Sequence, residues 1–237
     1  MNTLKDKVAL ITGGSRGIGF ALAQLLAQQG CNIVITGRDG SRLKAAVSEI
    51  MNQDKVTALG CEVQDGAQVE ELFAAVKKQY SSIDILFNNA GVAHALAPVD
   101  ELPVEAWKEV IDTNLTGMFL VTRAALPLMS AGGTIVNNLS VAAVHTFAGM
   151  AAYNASKAGA LAFTNVLRED LRKRGIRVLA LLAGATDTGI WEQFWPQAPR
   201  EKMLAPETVA EAILHALTIP AKASIEEIRI GPAAGVL

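Results

Sequence analysis

Tyr153 and Lys157 stand four residues apart in the run "AAYNASKAGA", residues 151–160. Four residues make one helical turn, so both side chains are expected on the same helix face. A free phenol titrates near 10 and is a poor base at neutral pH. A neighbouring ammonium favours the phenolate, each unit of lowering corresponding to about 1.4 kcal/mol, and the pair is expected to bring Tyr153 towards 7. Such a phenol could give a proton to a carbonyl oxygen or take one from an alcohol. Ser140 lies thirteen residues upstream, and Asn114 sits in "DTNLTG". Taken singly, these residues read as an exposed helix pair, a turn serine and a helix-capping asparagine. Taken together they read as one catalytic set.

A second chemical signal comes early. "TGGSRGIG", residues 12–19, follows a β-rich run and opens a helical one. Gly13, Gly17 and Gly19 would allow a tight turn and close backbone approach, while a helix N-terminus favours a phosphate. The spacing is neither G-x-G-x-x-G nor a P-loop, since no Lys-Ser/Thr follows Gly19.

The elements that must position these residues alternate. Strands are expected at 7–12, 32–36, 55–60, 83–89, 133–140, 176–183 and 226–231, with helices at 17–29, 41–51, 67–79, 105–130, 152–174 and 206–217. Nearly all-apolar early strands suit a parallel sheet covered on both faces. The expected fold is an α/β, Rossmann-like, doubly wound parallel sheet of about seven strands, forming a single domain over 1–237. Ligands of such sheets bind beyond the C-terminal strand ends, where the glycine turn and most of the chemical residues fall.

Composition narrows the partners. The 237 residues are 51% hydrophobic and 19% charged, with a formal net charge of −2. This argues against nucleic acid, which favours a basic footprint. No signal pattern opens the chain, and the apolar run "VLALLAGA" is short of the ~18 residues a membrane span needs, so a cytoplasmic protein with no membrane partner is expected. Cys31 and Cys61 have no ligand cluster around them; no metal is expected. They fall at opposite ends of adjacent parallel strands, roughly 16 Å apart, too far for a disulfide.

T-G-x-x-x-G-x-G after the first strand, "NNAG" at 88–91, and Ser140 before Tyr-x-x-x-Lys resemble the short-chain dehydrogenase/reductase family across essentially the whole chain. The resemblance implies an oxidoreductase interconverting a carbonyl and a secondary alcohol, with a nicotinamide cofactor supplying the hydride. It makes Tyr153 the acid–base and Ser140 the group steadying the substrate oxygen. Lys157 would also hold the nicotinamide ribose, and Asn114 a proton-relaying water. It assigns Gly13, Ser15, Arg16, Ile18 and Gly19 to the cofactor, with Arg38. Glu62 and Val63 fall to the adenine side, Asn89, Ala90 and Gly91 to the adenosine ribose, and Gly184, Thr186 and Thr188 to the carboxamide and pyrophosphate. Two positions depart from the family: Glu62 replaces its usual aspartate, and Ala183 precedes Gly184 where it usually has proline.

For the cofactor, Asp39 satisfies the count from Gly19 for an acid on the ribose 2′-OH of NAD(H). The strand, however, ends in uncharged Thr36 and Gly37, and Arg38 and Arg16 could fork around a 2′-phosphate. NADP(H) is therefore expected, with NAD(H) the alternative, and Asp39 is expected to cap the helix near Ser41. Substrate-facing candidates are His94, Val141, His145, Phe147, Met150, Trp191, Phe194 and Trp195, with the two histidines as polar pocket rims. The substrate is a small-molecule carbonyl or alcohol: a 3-oxoacyl thioester, a small 3-hydroxy acid or a general ketone. The first would recruit acyl carrier protein through "RKRGIR", residues 172–177, which equally reads as cations at a helix C-terminus. Small residues on 152–174 suggest helix pairing into a homodimer or homotetramer. The rival reading is a catalytically inactive nucleotide-binding module that senses redox state.

Overall fold

Strands that are apolar on both faces need helices on both faces, and the chain supplies them. The computed structural model describes residues 4–220 and 222–235. The strands are β1 (Val8–Thr12), β2 (Asn32–Gly37), β3 (Val56–Gly60), β4 (Ile85–Asn88), β5 (Thr134–Asn138), β6 (Arg177–Ala183) and β7 (Glu227–Ile230). All pair in parallel in one sheet, ordered β3-β2-β1-β4-β5-β6-β7. Between them run α1 (Gly17–Gln28), α2 (Gly40–Glu49), α3 (Gly66–Gln79), α4 (Val104–Ile111), α5 (Gly117–Ala125), α6 (Ala151–Arg172), α7 (Trp191–Phe194) and α8 (Pro206–Thr218).

The two-residue strand period sorts the core into two layers. Ile11, Ile33, Ile35 and Phe87 pack with side chains of α1, α2 and α8. Their strand neighbours Leu10, Val34 and Leu86 pack on the opposite face with α3, α5 and α6. Cys31 belongs to the first layer and Cys61 to the second. Both are buried and free, as the strand count implied. Burial pushes their thiols up to about 12 and about 11, so neither is a nucleophile at neutral pH.

From β1 the chain winds outward to β2 and β3, then returns to lay β4 on β1's other side and continues the opposite way. Adjacent crossovers therefore leave in opposite directions at the C-terminal ends of β1 and β4, opening a crevice there. The side chain of Asp39 accepts from the backbone N–H groups of Ser41 and Arg42 at 3.0 and 3.1 Å, capping α2 as expected.

One expectation needs correction. The single helix over 105–130 is instead α4, a π-helical turn over Asp112–Thr116, α5, and a short 3₁₀ turn over Leu126–Leu128. The wider turn leaves Asn114 fully buried, with its side chain bonded to the backbone of Val92. A tertiary hydrogen bond from the β4–α4 loop thus reshapes a helix that local propensity reads as continuous. No helix among the described residues is long and apolar enough to cross a membrane.

Candidate active site

The glycine turn is cramped from below. Gly13 and Gly17 have φ of +63° and +57°, in the left-handed region. A side chain on Gly13 would meet Ala90 Cα at 3.0 Å, and one on Gly19 would meet Asn89 Nδ2 at 2.5 Å. Gly13, Ser15, Arg16 and Ile18 line a cavity of about 490 Å³, whereas Gly19 is not among its walls. Its missing side chain lets α1 pack down on Asn89. The turn therefore presents backbone to the cavity at the head of a twelve-residue helix, a cradle suited to a pyrophosphate.

A chain of hydrogen bonds ties this turn to the catalytic candidates. The Thr12 hydroxyl accepts from the backbone N–H groups of Asn89 and Ala90 at 2.9 and 3.0 Å. Asn89 Nδ2 donates to the carbonyls of Thr12 and Gly13, both at 3.0 Å. Asn138 Nδ2 donates to Asn89 Oδ1 at 2.9 Å, and Lys157 Nζ donates to the Asn138 carbonyl at 2.9 Å. Three strand ends and α6 are held by one polar network. The neighbouring asparagines point to the other sheet face, where Asn88 Nδ2 donates to Asn137 Oδ1 at 2.8 Å and to the Thr122 hydroxyl at 2.9 Å. Two Asn-Asn pairs at adjacent strand ends carried that signal in the sequence.

Tyr153 and Lys157 emerge on one face of α6, both buried. The ammonium lies 5.6 Å from the centre of the phenol ring. Here the charge argument needs correction. Burial pushes Tyr153 up to about 12, opposed by its hydrogen bond with the Ser140 hydroxyl, rather than down towards 7. Burial also lowers Lys157 to about 8. Removing both groups from water outweighs their mutual attraction, because desolvation disfavours each charged form. The phenol is thus a protonated acid at neutral pH. Ser140 Oγ accepts from the Ala142 backbone N–H at 3.1 Å, which leaves its own proton free to donate. Asn114 does not line the cavity. Its oxygen accepts from Val92 N–H at 2.8 Å, and its amide donates to the Val92 carbonyl and the Ser156 hydroxyl.

The remaining assignments sort along the cavity. Arg38, Glu62, Val63, Asn89, Ala90, Gly91, Gly184, Thr186 and Thr188 all line it. So does Arg42, one turn beyond Arg38, which sequence reasoning passed over. Arg38 lies 3.7 Å from both Glu62 and Glu109. The turn without the family proline is held another way: Gly184 N–H donates to the Ile230 carbonyl at 2.8 Å. Val141, Phe147, Met150, Trp191, Phe194 and Trp195 form the far end of the cavity. Neither histidine does. His94 is buried with Nδ1 against the Ala95 carbonyl, and His145 Nε2 contacts Arg229.

The profile of the short chain dehydrogenase family matches residues 7–199. The chain belongs to the short-chain dehydrogenase/reductase family. An uncharacterized oxidoreductase of Staphylococcus haemolyticus is 34% identical, over 98% of this chain and 100% of its own. Among solved structures, the closed form of a serine dehydrogenase complexed with NADP+ superposes with a TM-score of 0.90 at 32% identity, covering 97% of this chain and 96% of its own. An alcohol dehydrogenase from Thermococcus sibiricus complexed with 5-hydroxy-NADP gives 0.90 at 28% identity, covering 98% of each.

For this short-chain dehydrogenase, the basic run at 172–177 belongs to the far end of the sheet, where β6 begins. Arg172 pairs with Glu169 at 2.6 Å, Arg174 donates to the Leu126 carbonyl at 2.7 Å, and Arg177 donates to the Thr134 hydroxyl at 2.9 Å. Its arginines are engaged internally, one of them on the carbonyls that close α5.

The buried lysine has a measurable signature. Unfolding returns Lys157 from about 8 to its ordinary 10.5, so between those values the unfolded state binds more protons and stability rises with pH. Below about 8 the buried charge costs stability in full. Lys157→Met is expected to unfold at higher urea than the native chain at pH 7, with the gap narrowing towards pH 10. A variant less stable at pH 7 would contradict the desolvation account.

Proposed function

We propose that this family member is an NADP(H)-dependent oxidoreductase interconverting a carbonyl and a secondary alcohol, working as one catalytic domain over 1–237. The convergence of Tyr153, Ser140 and Lys157 at the end of a cleft headed by a glycine turn carries this reading. When bound, the nicotinamide supplies or accepts the hydride at the carbonyl carbon. This chain's own residues handle the oxygen. Tyr153 gives its phenolic proton to the oxygen as the carbonyl becomes an alcohol, and Ser140 donates a hydrogen bond that steadies the developing charge. Lys157, fixed by the Asn138 carbonyl, would turn its remaining N–H groups to the ribose. Asn114 acts as a positioning residue that holds Val92 and Ser156 rather than touching substrate.

A phenol held near 12 stays protonated at neutral pH, the form that carbonyl reduction requires. All four residues of the set are present and gathered, so the inactive redox-sensing module has no support from the site. The test is Tyr153→Phe, which keeps the ring and its packing but removes the acid. Carbonyl-dependent NADPH oxidation is expected to fall by ~10²-fold or more, with NADPH binding retained. Near-normal turnover would sink the assignment.

NADP(H) is supported by Arg16, Arg38 and Arg42, which line the cavity at the glycine turn and the β2 end, and by the NADP complexes of two similar proteins. Asp39 caps α2 through Oδ1 and pairs with Arg42 through Oδ2, which disfavours it as the acid that NAD(H) would use. A lost charge-assisted contact costs about 2 kcal/mol, so Arg38→Ala should raise KM for NADPH by tens of fold and leave NADH nearly unchanged. An equal loss with both cofactors, or a native preference for NADH, would reverse this assignment.

We further propose a homodimer or homotetramer built on α5 and α6. Ala152 and Ala160 are core residues, but Ala155, Ala158, Ala162 and Val166 form an exposed stripe on α6. Beside it, Phe119 of α5 is 43% exposed and stacks edge-on with Phe163. Small residues let two such faces approach closely about a two-fold axis. Solution mass at micromolar concentration is expected at a multiple of 25.0 kDa, falling to one chain in Ala162→Arg. A monomeric native chain would refute the assembly.

A further inference from the structure

The charges along the cavity are unevenly placed. Its cationic walls are Arg16, Arg38 and Arg42, at the glycine turn and the β2 end, and Lys157. Lys157 lies beside Tyr153 with its ammonium on the Asn138 carbonyl, at the junction of the two halves. Beyond Tyr153 the walls Val141, Phe147, Met150, Trp191, Phe194 and Trp195 are uncharged, and the guanidinium that borders them, that of Arg16, lies against Gly189 on the glycine-turn side.

Several polar atoms near this end are already engaged. Trp191 Nε1 donates to the Thr186 carbonyl at 2.8 Å, and Gln193 Oε1 accepts from Ala93 N–H at 2.6 Å. Asn154 Nδ2 donates to the carbonyls of Ala142 and His145 at 2.8 and 2.6 Å, pinning the loop after β5. His94 and His145, the two groups that could have met an anion, are not among the cavity walls. The hydroxyls of Ser140 and Tyr153 remain for the substrate oxygen, and nearer the rim the Trp195 indole N–H also faces the cavity's aromatic end.

Aromatic rings, by contrast, are continuous from the reacting hydroxyl to the rim. Phe194 lies 6.2 Å from Tyr153, Trp191 lies 4.7 Å from Phe194, and Trp195 lies 6.2 Å from Trp191, all in tilted contact. Trp195 is 39% exposed and reaches solvent. A flat ring attached to the carbonyl carbon would meet aromatic faces along this whole path.

We infer that the substrate is an uncharged ketone or aldehyde bearing an aryl group, and that a carboxylate adjacent to the carbonyl is rejected. This rests on the carbonyl–alcohol reading above. Reduction would add a hydride from NADPH to the carbonyl carbon and the Tyr153 proton to its oxygen, leaving NADP+ and a phenolate that takes its proton back from solvent. A carboxylate carried into the apolar half would lose its water with no cation to replace it. On this inference the small 3-hydroxy acids considered from the sequence would be poor substrates.

The test uses the native chain with NADPH and four carbonyl compounds: ethyl benzoylformate, benzoylformate, ethyl pyruvate and pyruvate. They cross an aryl or methyl group with a neutral ester or an acid. Each ester is expected to exceed its acid by about 100-fold in kcat/KM, because the unpaired anion loses its hydration. The aryl ester is expected to exceed ethyl pyruvate by about 10-fold, through ring contacts. In parallel, tryptophan fluorescence reports occupancy without turnover, since two of the chain's three tryptophans line this end. An acid equal to its ester overturns the charge inference, and equal rates for the two esters overturn the aromatic one. If none is reduced but the aryl ester alone quenches fluorescence, carbonyl reduction falls and the pocket's selectivity stands. If none is reduced and none quenches, the pocket inference itself is overturned.

Discussion

The Thr12 hydroxyl at the end of β1 accepts from two consecutive backbone N–H groups as the chain leaves β4. This is the contact on which the rest of the site depends. It closes the switch point where the sheet winds both ways and sets Asn89 beneath the glycine turn. From Asn89 the network passes through Asn138 to the ammonium of Lys157. Buried polar groups are costly unless each finds a partner, so such a network has few alternative arrangements. The glycine turn at one end of the cleft and the Tyr153–Lys157 pair at its middle are therefore held in fixed relation.

Desolvation is the second organising term. It raises the phenol, lowers the ammonium, and leaves a protonated acid beside a lysine that titrates near the upper edge of the physiological range. Perturbed groups cluster at functional sites, and an ammonium with one protein acceptor is costly to keep for stability alone. An apolar lining at the aromatic end would likewise disfavour a substrate's charge there.

Several features were legible from residue types alone. Alternating apolar strands declared both covered faces, and the core divides between them as the two-residue period requires. The glycine spacing, the Tyr–Lys helical turn and the Asp39 cap stand in the predicted elements. Misreadings share a cause. The 105–130 helix is broken by a bond from Val92, twenty-two residues away from Asn114 in sequence. The two histidines fall within the right loops, yet neither lines the cavity. Arg42 went unnoticed because only the winding of α2 brings it back over the β2 end.

What the sequence determined by itself was local and periodic: which segments pair as strands, which turn is short of side chains, which residues share a helix face. These follow from backbone sterics and from repeats of two and of nearly four residues, and they need no distant partner. Tertiary structure alone decided the electrostatic character of the site. A pKa depends on the water and charges around a group, and burial comes from elements far apart in the chain. Sequence proximity promised Tyr153 a lowered pKa from its lysine, whereas packing beneath α7 and the β5 loop raised it, because desolvation acts on both partners at once.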